Sequence, residues 1–256
     1  MSAYTGDFES AAEEVARLVE RSVAKEVEGE NKVAIAFSGG LDSSVIARSA
    51  SMHTGVIACT GYATDSGDAK RAREAADAMG LPAVSCELTK ENVGAALSAM
   101  DLPFAPTLMD RSLWCLYRVV SEGARGSGAK VMLLGQLADE MFGGYAKYAE
   151  ALRLKGSGSA ESMMIADLNQ YSRRGRVRDV AACGGLVAPR FPFEAEELRE
   201  FAASLPVSFK IREGERKAVL RRAAVILGVP ESVAGSPKKA AQYSSGVQKL
   251  VAGSPF

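Results

Sequence analysis

The sequence predicts an α/β fold: a parallel sheet with helices on both faces, followed by a mostly helical C-terminal part. Three observations predict it. Short apolar runs of strand length alternate with amphipathic stretches of helical length through the first 135 residues. The runs at 33–37 and 131–134 are apolar without a polar alternation, as strands covered on both faces are. Beyond residue 155 the strand-like runs give way to helical patterns at 194–204 and 215–227.

The elements follow in order. Residues 8–28 place Val15, Leu18, Val19 and Val23 at three- and four-residue steps with Glu and Arg between them, an amphipathic helix. Val33-Ala34-Ile35-Ala36-Phe37 is a buried strand that runs into Ser38-Gly39-Gly40. A helix is expected from about Asp42 to Met52, then a strand at Gly55–Thr60. The Ala/Arg/Glu-rich stretch 67–80 is a helix that Gly80 closes. Ala83–Leu88 reads as a third strand. A helix over 110–123 carries Leu113, Leu116, Tyr117 and Val120, and Val131-Met132-Leu133-Leu134 is the next strand, ending at Gly135. Lys155-Gly156-Ser157-Gly158-Ser159 reads as a flexible break. The expected organisation is an N-terminal helix at 1–30, an α/β core at 31–152 and a helical part at 153–256.

Composition excludes several classes. The 31 basic and 31 acidic residues cancel, so neither nucleic acid nor an anionic membrane is the expected partner. Cys59, Cys86, Cys115 and Cys183 form no C-x-x-C pair, which argues against zinc ribbons, iron–sulfur clusters and thioredoxin chemistry. They also suggest no disulfide framework. His53 is the sole histidine, so His-based triads and multi-His metal sites are out of reach. Met1-Ser2-Ala3-Tyr4 is no signal peptide, and no apolar run nears the roughly 20 residues of a membrane span. A cytoplasmic protein is expected.

In parallel sheets ligands bind beyond the carboxyl ends of the strands. The most informative stretch lies there: Ser38-Gly39-Gly40-Leu41-Asp42-Ser43-Ser44. Two glycines let backbone N–H groups approach an anion, three hydroxyls can donate to phosphate oxygens, and the next helix turns its positive N-terminus to the same spot. Asp42 beside a phosphate calls for a cation between them, and Mg²⁺ takes carboxylate and phosphate oxygens together. G-x-x-x-x-G-K-[ST] is absent because no Gly-Lys dipeptide occurs, and Ala36 rules out a G-x-S-x-G elbow. Ser38-Gly39-Gly40-Leu41-Asp42-Ser43 instead resembles the S-G-G-x-D-S pyrophosphate-binding PP-loop of the adenine-nucleotide α-hydrolase-like enzymes. The resemblance implies ATP cleavage between the α and β phosphates, an adenylated substrate, and displacement of AMP by a nucleophile. Thr60-Gly61 at the second strand's end is the expected ribose or adenine edge, while Asp65 and Asp68 face the ligand or cap the next helix.

A second constellation follows the 131–134 strand. Gly135-Gln136-Leu137-Ala138-Asp139-Glu140-Met141-Phe142-Gly143-Gly144-Tyr145 resembles the S-G-E-G-x-D-E-x-F-G-G-Y segment of the synthetase domain of asparagine synthetases and β-lactam synthetases. Asp139 is expected to reach the Mg²⁺ that Asp42 binds from the other side. Ala188–Phe193 resembles the family's E-x-R-x-P-F stretch. Leu205-Pro206, Lys210 and Lys217-Ala218-Val219-Leu220-Arg221 resemble its "LP…K…K-x-x-L-R" region. Lys238-Lys239-Ala240-Ala241-Gln242-Tyr243 resembles its C-terminal lysine segment. That resemblance implies a lysine on the phosphates or the acyl-adenylate. Lys239 is slightly favoured over Lys238 because it stands nearer Gln242.

Three departures stand out. The expected catalytic Cys after Met1 is Ser2, so no glutaminase domain is expected and nitrogen would come from a separate glutaminase subunit, free ammonia or another amine. Gln136 stands where the motif has glutamate, and a neutral amide orients rather than takes protons. Leu134 stands where it has serine. The leading expectation is ATP-dependent adenylation of a small carboxylate followed by amine attack. The alternatives are an RNA-modifying PP-loop enzyme, for which Arg173, Arg174, Arg176 and Arg178 would track a phosphate backbone, and a non-catalytic ATP-binding module. A homo-oligomer is compatible with all three.

Overall fold

The computed structural model describes residues 3–64, 68–236 and 245–254. Its centre is a five-stranded parallel sheet in the order β3-β2-β1-β4-β5. The strands are β1 (Lys32–Ala36), β2 (Gly55–Tyr62), β3 (Ala83–Glu87), β4 (Val131–Leu133) and β5 (Ala188–Arg190). β1 is flanked by β2 and β4, with Ala34 and Ile35 in register with Met132 and Leu133. The chain therefore leaves β1 and β4 side by side at the same edge, the crevice where such sheets bind ligands.

The two faces are sorted by strand alternation. Val33, Ile35, Val131 and Leu133 turn to one core, where they meet α1 (Phe8–Val27), α2 (Leu41–Ser51), α3 (Asp68–Ala78) and residues of the C-terminal part such as Leu198, Val219 and Leu220. Ala34, Cys59, Met132 and Leu134 turn to the other, against α4 (Lys90–Ser98), α5 (Leu108–Gly126) and neighbouring segments. Burial on both faces is why these strands read as unbroken apolar runs. The capping boxes of Thr89 with Asn92 and of Thr107 with Asp110 fix the starts of α4 and α5.

Three expectations need correction. First, the break at 155–159 is one residue long. α6 (Ala138–Phe142) is followed by α7 (Ala146–Lys155), Gly156 takes φ +83, and α8 (Ser157–Gln170) begins at once. Gly and Ser there make a tight helix-to-helix turn against which α7 and α8 pack. Second, a π-helical turn at Tyr171–Gly175 joins α8 to α9 (Arg176–Cys183), and β5, which carries Pro189, is an edge strand that polarity concealed. Third, 215–227 is not a single helix. After α10 (Glu196–Ser204) and α11 (Val207–Lys210), a hairpin pairs β6 (Ile211–Arg212) with β7 (Glu215–Arg216) around Glu213 (φ +52) and Gly214 (φ +84). Two positive φ values make the tight turn that such hairpins prefer. α12 (Ala218–Ile226) starts after it, with α13 (Glu231–Ala234) and α14 (Val247–Ala252) completing the described chain.

No helix among the described residues is long and apolar enough to cross a membrane. All four cysteines are free and buried. Burial pushes the thiols of Cys59, Cys115 and Cys183 up to about 12 and that of Cys86 to about 11. Thiolate is then scarce at pH 8. Ellman's reagent at that pH is expected to find no fast-reacting thiol in the native protein and all four in denaturant.

Candidate active site

The loop after β1 is set by its own side chains. Phe37 N–H still donates to Cys59 O across to β2 at 2.8 Å. The Ser38 N–H then donates to Ser43 Oγ at 3.2 Å, Ser43 Oγ donates to Gly40 O at 3.2 Å, and Gly40 N–H donates to Ser38 Oγ at 3.3 Å. Gly39 takes φ +66, and a Cβ there would sit 2.8 Å from Ala72 Cα of α3. Glycine is thus required by conformation and by packing alike. Ser38, Asp42 and Ser43 line a cavity of about 530 Å³ at the carboxyl edge of the sheet. Leu41 belongs to the core instead. Ser44 is fully buried outside the cavity lining, and its hydroxyl has no hydrogen-bond partner among the described residues. The loop therefore presents two hydroxyls to the cavity, not three, because α2 turns the third into the core.

Asp42 and Asp139 converge on one point. Lys217 Nζ donates to Asp42 Oδ1 at 2.5 Å and lies 2.8 Å from Asp139 Oδ1. The lysine side chain is 2% exposed and each carboxylate 14%. Three separate segments meet here: the start of α2, the start of α6, and the residue before α12, where Lys217 adopts φ +59. Two glycines make room. A Cβ at Gly135 would sit 3.2 Å from Asp42 Cβ. One at Gly144 would sit 1.8 Å from Asp139 Oδ1 and 2.3 Å from Lys217 Cε. Leu137, at the second glycine position of the S-G-E-G pattern, is held at φ +75 while its side chain stays in the core. A leucine there costs about 1 kcal/mol relative to an ordinary backbone. Beside Asp139, the buried Glu140 accepts from the Tyr145 hydroxyl at 2.8 Å. Burial, and then the Asp139 charge, raise its carboxyl above the usual range.

The rest of the cavity divides into two walls. On one, Thr60 donates its hydroxyl to Phe37 O at 2.8 Å, tying β2 to the loop. Gly61 is glycine because a Cβ would meet Leu116 Cδ1 at 2.5 Å. Ser245 lines the same wall, and its carbonyl accepts from Ala63 N–H at 2.7 Å. On the other, Gln136 Nε2 donates to Tyr117 Oη and to Asp179 Oδ2, both at 2.8 Å. Of the expected basic cluster, Arg173 is exposed and the other three arginines are paired. Arg174 and Arg178 pair with Asp110, Arg178 also with Asp179, and Arg176 with Glu194. Lys238, Lys239 and Asp65 lie outside the described residues. Glu87 accepts from the Thr64 hydroxyl at 2.8 Å, and His53 bonds Glu20 at 2.6 Å, both away from the cavity.

Lys217, Asp179 and Tyr171 were missed as site residues by sequence reasoning. The signal for Lys217 was present in K-x-x-L-R, but nothing in the string showed that its amine turns inward. Asp179 and Tyr171 stand on a helical stretch with no motif spacing at all.

The family model described as asparagine synthase matches residues 14–180 and 153–253 of this chain. A protein of Methanocaldococcus jannaschii with the provisional name glutamine-hydrolysing asparagine synthetase 1 is 32% identical over 95% of this chain and 51% of its own length. The asparagine synthetase domain-containing protein 1 of Mus musculus is 34% identical over 56% of this chain and 26% of its own. The chain thus spans about half or less of the curated relatives it matches. Among solved structures it is similar to NMN synthetase from Francisella tularensis, with a TM-score of 0.49, 12% identity, and 96% and 85% of the two chains covered. It is also similar to a U34-tRNA thiolase from Methanococcus maripaludis, with a TM-score of 0.41, 15% identity, and 96% and 80% covered.

Gly144→Ala tests the meeting point without touching a charge. The added methyl must displace Asp139 or Lys217, so a stability loss of about 2 kcal/mol is expected in urea unfolding. Gly158→Ala, which meets open space, is expected to change stability little.

Proposed function

Because the chain belongs to the asparagine synthase family, we propose that it uses ATP to adenylate a small carboxylate and then passes the acyl group to ammonia or another amine. The observation that carries this reading is the convergence of Asp42 and Asp139, from two neighbouring strand tips, on a single buried cation position at the edge of the cavity. In the first step a carboxylate oxygen forms a bond to the α phosphorus. The bond to the bridging oxygen breaks, and pyrophosphate leaves with the electron pair. Negative charge grows on that leaving group. The N-terminus of α2 and the Ser38 and Ser43 hydroxyls, which face the cavity, would stabilise it, while the Lys217 ammonium, buried outside the cavity lining, would hold Asp42 and Asp139 in place. In the second step the amine nitrogen bonds to the acyl carbon, AMP leaves with its electron pair, and the surplus proton of the nitrogen passes to solvent.

The donor set is of the kind Mg²⁺ takes, two neighbouring carboxylates with phosphate oxygens and water left to complete the shell, and in this structure the point that their Oδ1 atoms share is held by Lys217 Nζ. Asp42 and Asp139 would hold the ion. When bound, it neutralises charge on the phosphate oxygens. Thr60, Gly61 and Ser245 line the wall assigned to the nucleoside, and the Gln136 wall is assigned to the acceptor. Lys239, with Lys238 as the alternative, is assigned to the phosphates or the acyl-adenylate. The nitrogen source is free ammonia, ammonia from a glutaminase that works with this chain, or another amine.

Two measurements test the reading. With Mg·ATP, ammonium and a panel of carboxylic acids, AMP and pyrophosphate are expected in equal amounts, falling about 100-fold or more in Asp42→Ala. ADP as the only nucleotide product would overturn it. For the ion, Lys217→Met leaves Asp42 and Asp139 without the ammonium. Millimolar MgCl₂ is expected to raise the melting temperature of that variant more than that of the unaltered protein. Equal shifts would remove the two aspartates as its ligands.

A further inference from the structure

The acceptor wall contains a closed network that the adenylation step does not use. Asp179 is fully buried. Its Oδ1 accepts from Arg178 Nε at 2.8 Å, and its Oδ2 accepts from Gln136 Nε2 at 2.8 Å and from the Tyr171 hydroxyl at 3.1 Å. Arg178 continues to Asp110 Oδ1 at 3.0 Å, and Asp110 Oδ2 accepts from Arg174 at 3.2 Å. Two carboxylates therefore face two guanidiniums, and the charges balance. The π-helical turn makes this possible: it sets Tyr171 onto Asp179 and Arg174 at the cavity lining.

This network fixes which way the Gln136 amide points. Burial raises the Asp179 carboxyl above the usual range and the Arg178 guanidinium at 2.8 Å opposes that; held ionised by this pair, the carboxylate only accepts and so demands the NH₂ end of the amide. The amide oxygen Oε1 is left over. It has no partner among the described residues, and Gln136 lines the cavity. The glutamate of the S-G-E-G pattern would be out of place here. It would set a second carboxylate against a fully buried one, in a network with no cation to spare.

We infer that Gln136 is a specificity-determining residue whose Oε1 accepts a hydrogen bond from an uncharged N–H group of the substrates, and that Asp179 is the residue that positions it. A carboxylate at this point would favour an ammonium, whose nitrogen has no lone pair with which to attack. An amide oxygen gives that charged form much less preference and still holds a neutral N–H. The N–H belongs either to the acceptor acid or to the amine. The recognition part of this inference rests on the proposed adenylation. The pairing of Gln136 with Asp179 does not.

A melting cycle and kinetics test both parts. Gln136→Glu and Asp179→Asn are each expected to lower the melting temperature by about 5 °C, and the double variant to recover most of it. A double variant that melts as low as the two single losses added together would overturn the pairing. Gln136→Met removes Oε1, and one KM is expected to rise about tenfold while kcat changes less. If the acid supplies the N–H, the shift appears in acid-dependent ATP–pyrophosphate exchange without amine. If the amine supplies it, the shift appears in amine-dependent AMP release at saturating acid. Both KM values unchanged would overturn the recognition. Should no acid support exchange at all, the proposed reaction fails instead, and the melting cycle still decides the pairing.

Discussion

The contact on which the rest of the architecture depends is the buried ammonium of Lys217 between Asp42 and Asp139. Its three members come from three segments far apart in sequence, Asp42 and Lys217 being 175 residues apart, so it exists only when the sheet, α6 and α12 are all docked. Such a contact is poor at generating stability, since desolvation offsets much of the attraction. It is good at fixing positions, because any member left alone in that environment is costly. The surrounding glycines follow from it. Gly135 and Gly144 are small because side chains there would occupy the volume of Asp42, Asp139 or Lys217.

The sheet order explains why the contact forms where it does. With β1 flanked by β2 and β4, the chain leaves β1 and β4 in adjacent positions and each exit opens a helix. Both aspartates fall in the first turns of those helices, where the exposed N–H groups and dipole favour negative charge. The apolar cores on either face pin the two strands in register, and Leu137 shows how firmly. Its side chain is kept in the core although the backbone must take φ +75 to put it there.

What the sequence made legible was local and periodic. The strands 33–37 and 131–134, the helices between them, and the loop Ser38–Ser43 all carry their reasons in neighbouring residues, as does Asp139 at its strand tip. What stayed hidden was set by distant packing. Lys217 looks like one more surface lysine until the Glu213–Gly214 turn swings it inward. Ser44 reads as a third phosphate donor until α2 winds it into the core. The arginines at 173, 174, 176 and 178 read as a basic patch, but Asp110, Asp179 and Glu194 pair with the last three, from up to 68 residues away, and Arg173 alone is left exposed. A string of residues displays charge but not how that charge is neutralised.

The cavity thus has two walls built on different rules. The wall at the loop after β1 uses glycines and short acidic turns whose spacing is stringent, because atoms there approach within van der Waals limits. The Gln136 wall uses side chains from α5, the π-turn and α9, joined by charge balance rather than by close backbone approach. A network of that kind tolerates change only in compensating pairs, since altering one member strands a buried partner. Gln136 read alone looks like a lost catalytic carboxylate. Read with Asp179, it is the neutral half of a matched pair, with the negative charge carried on the facing helix.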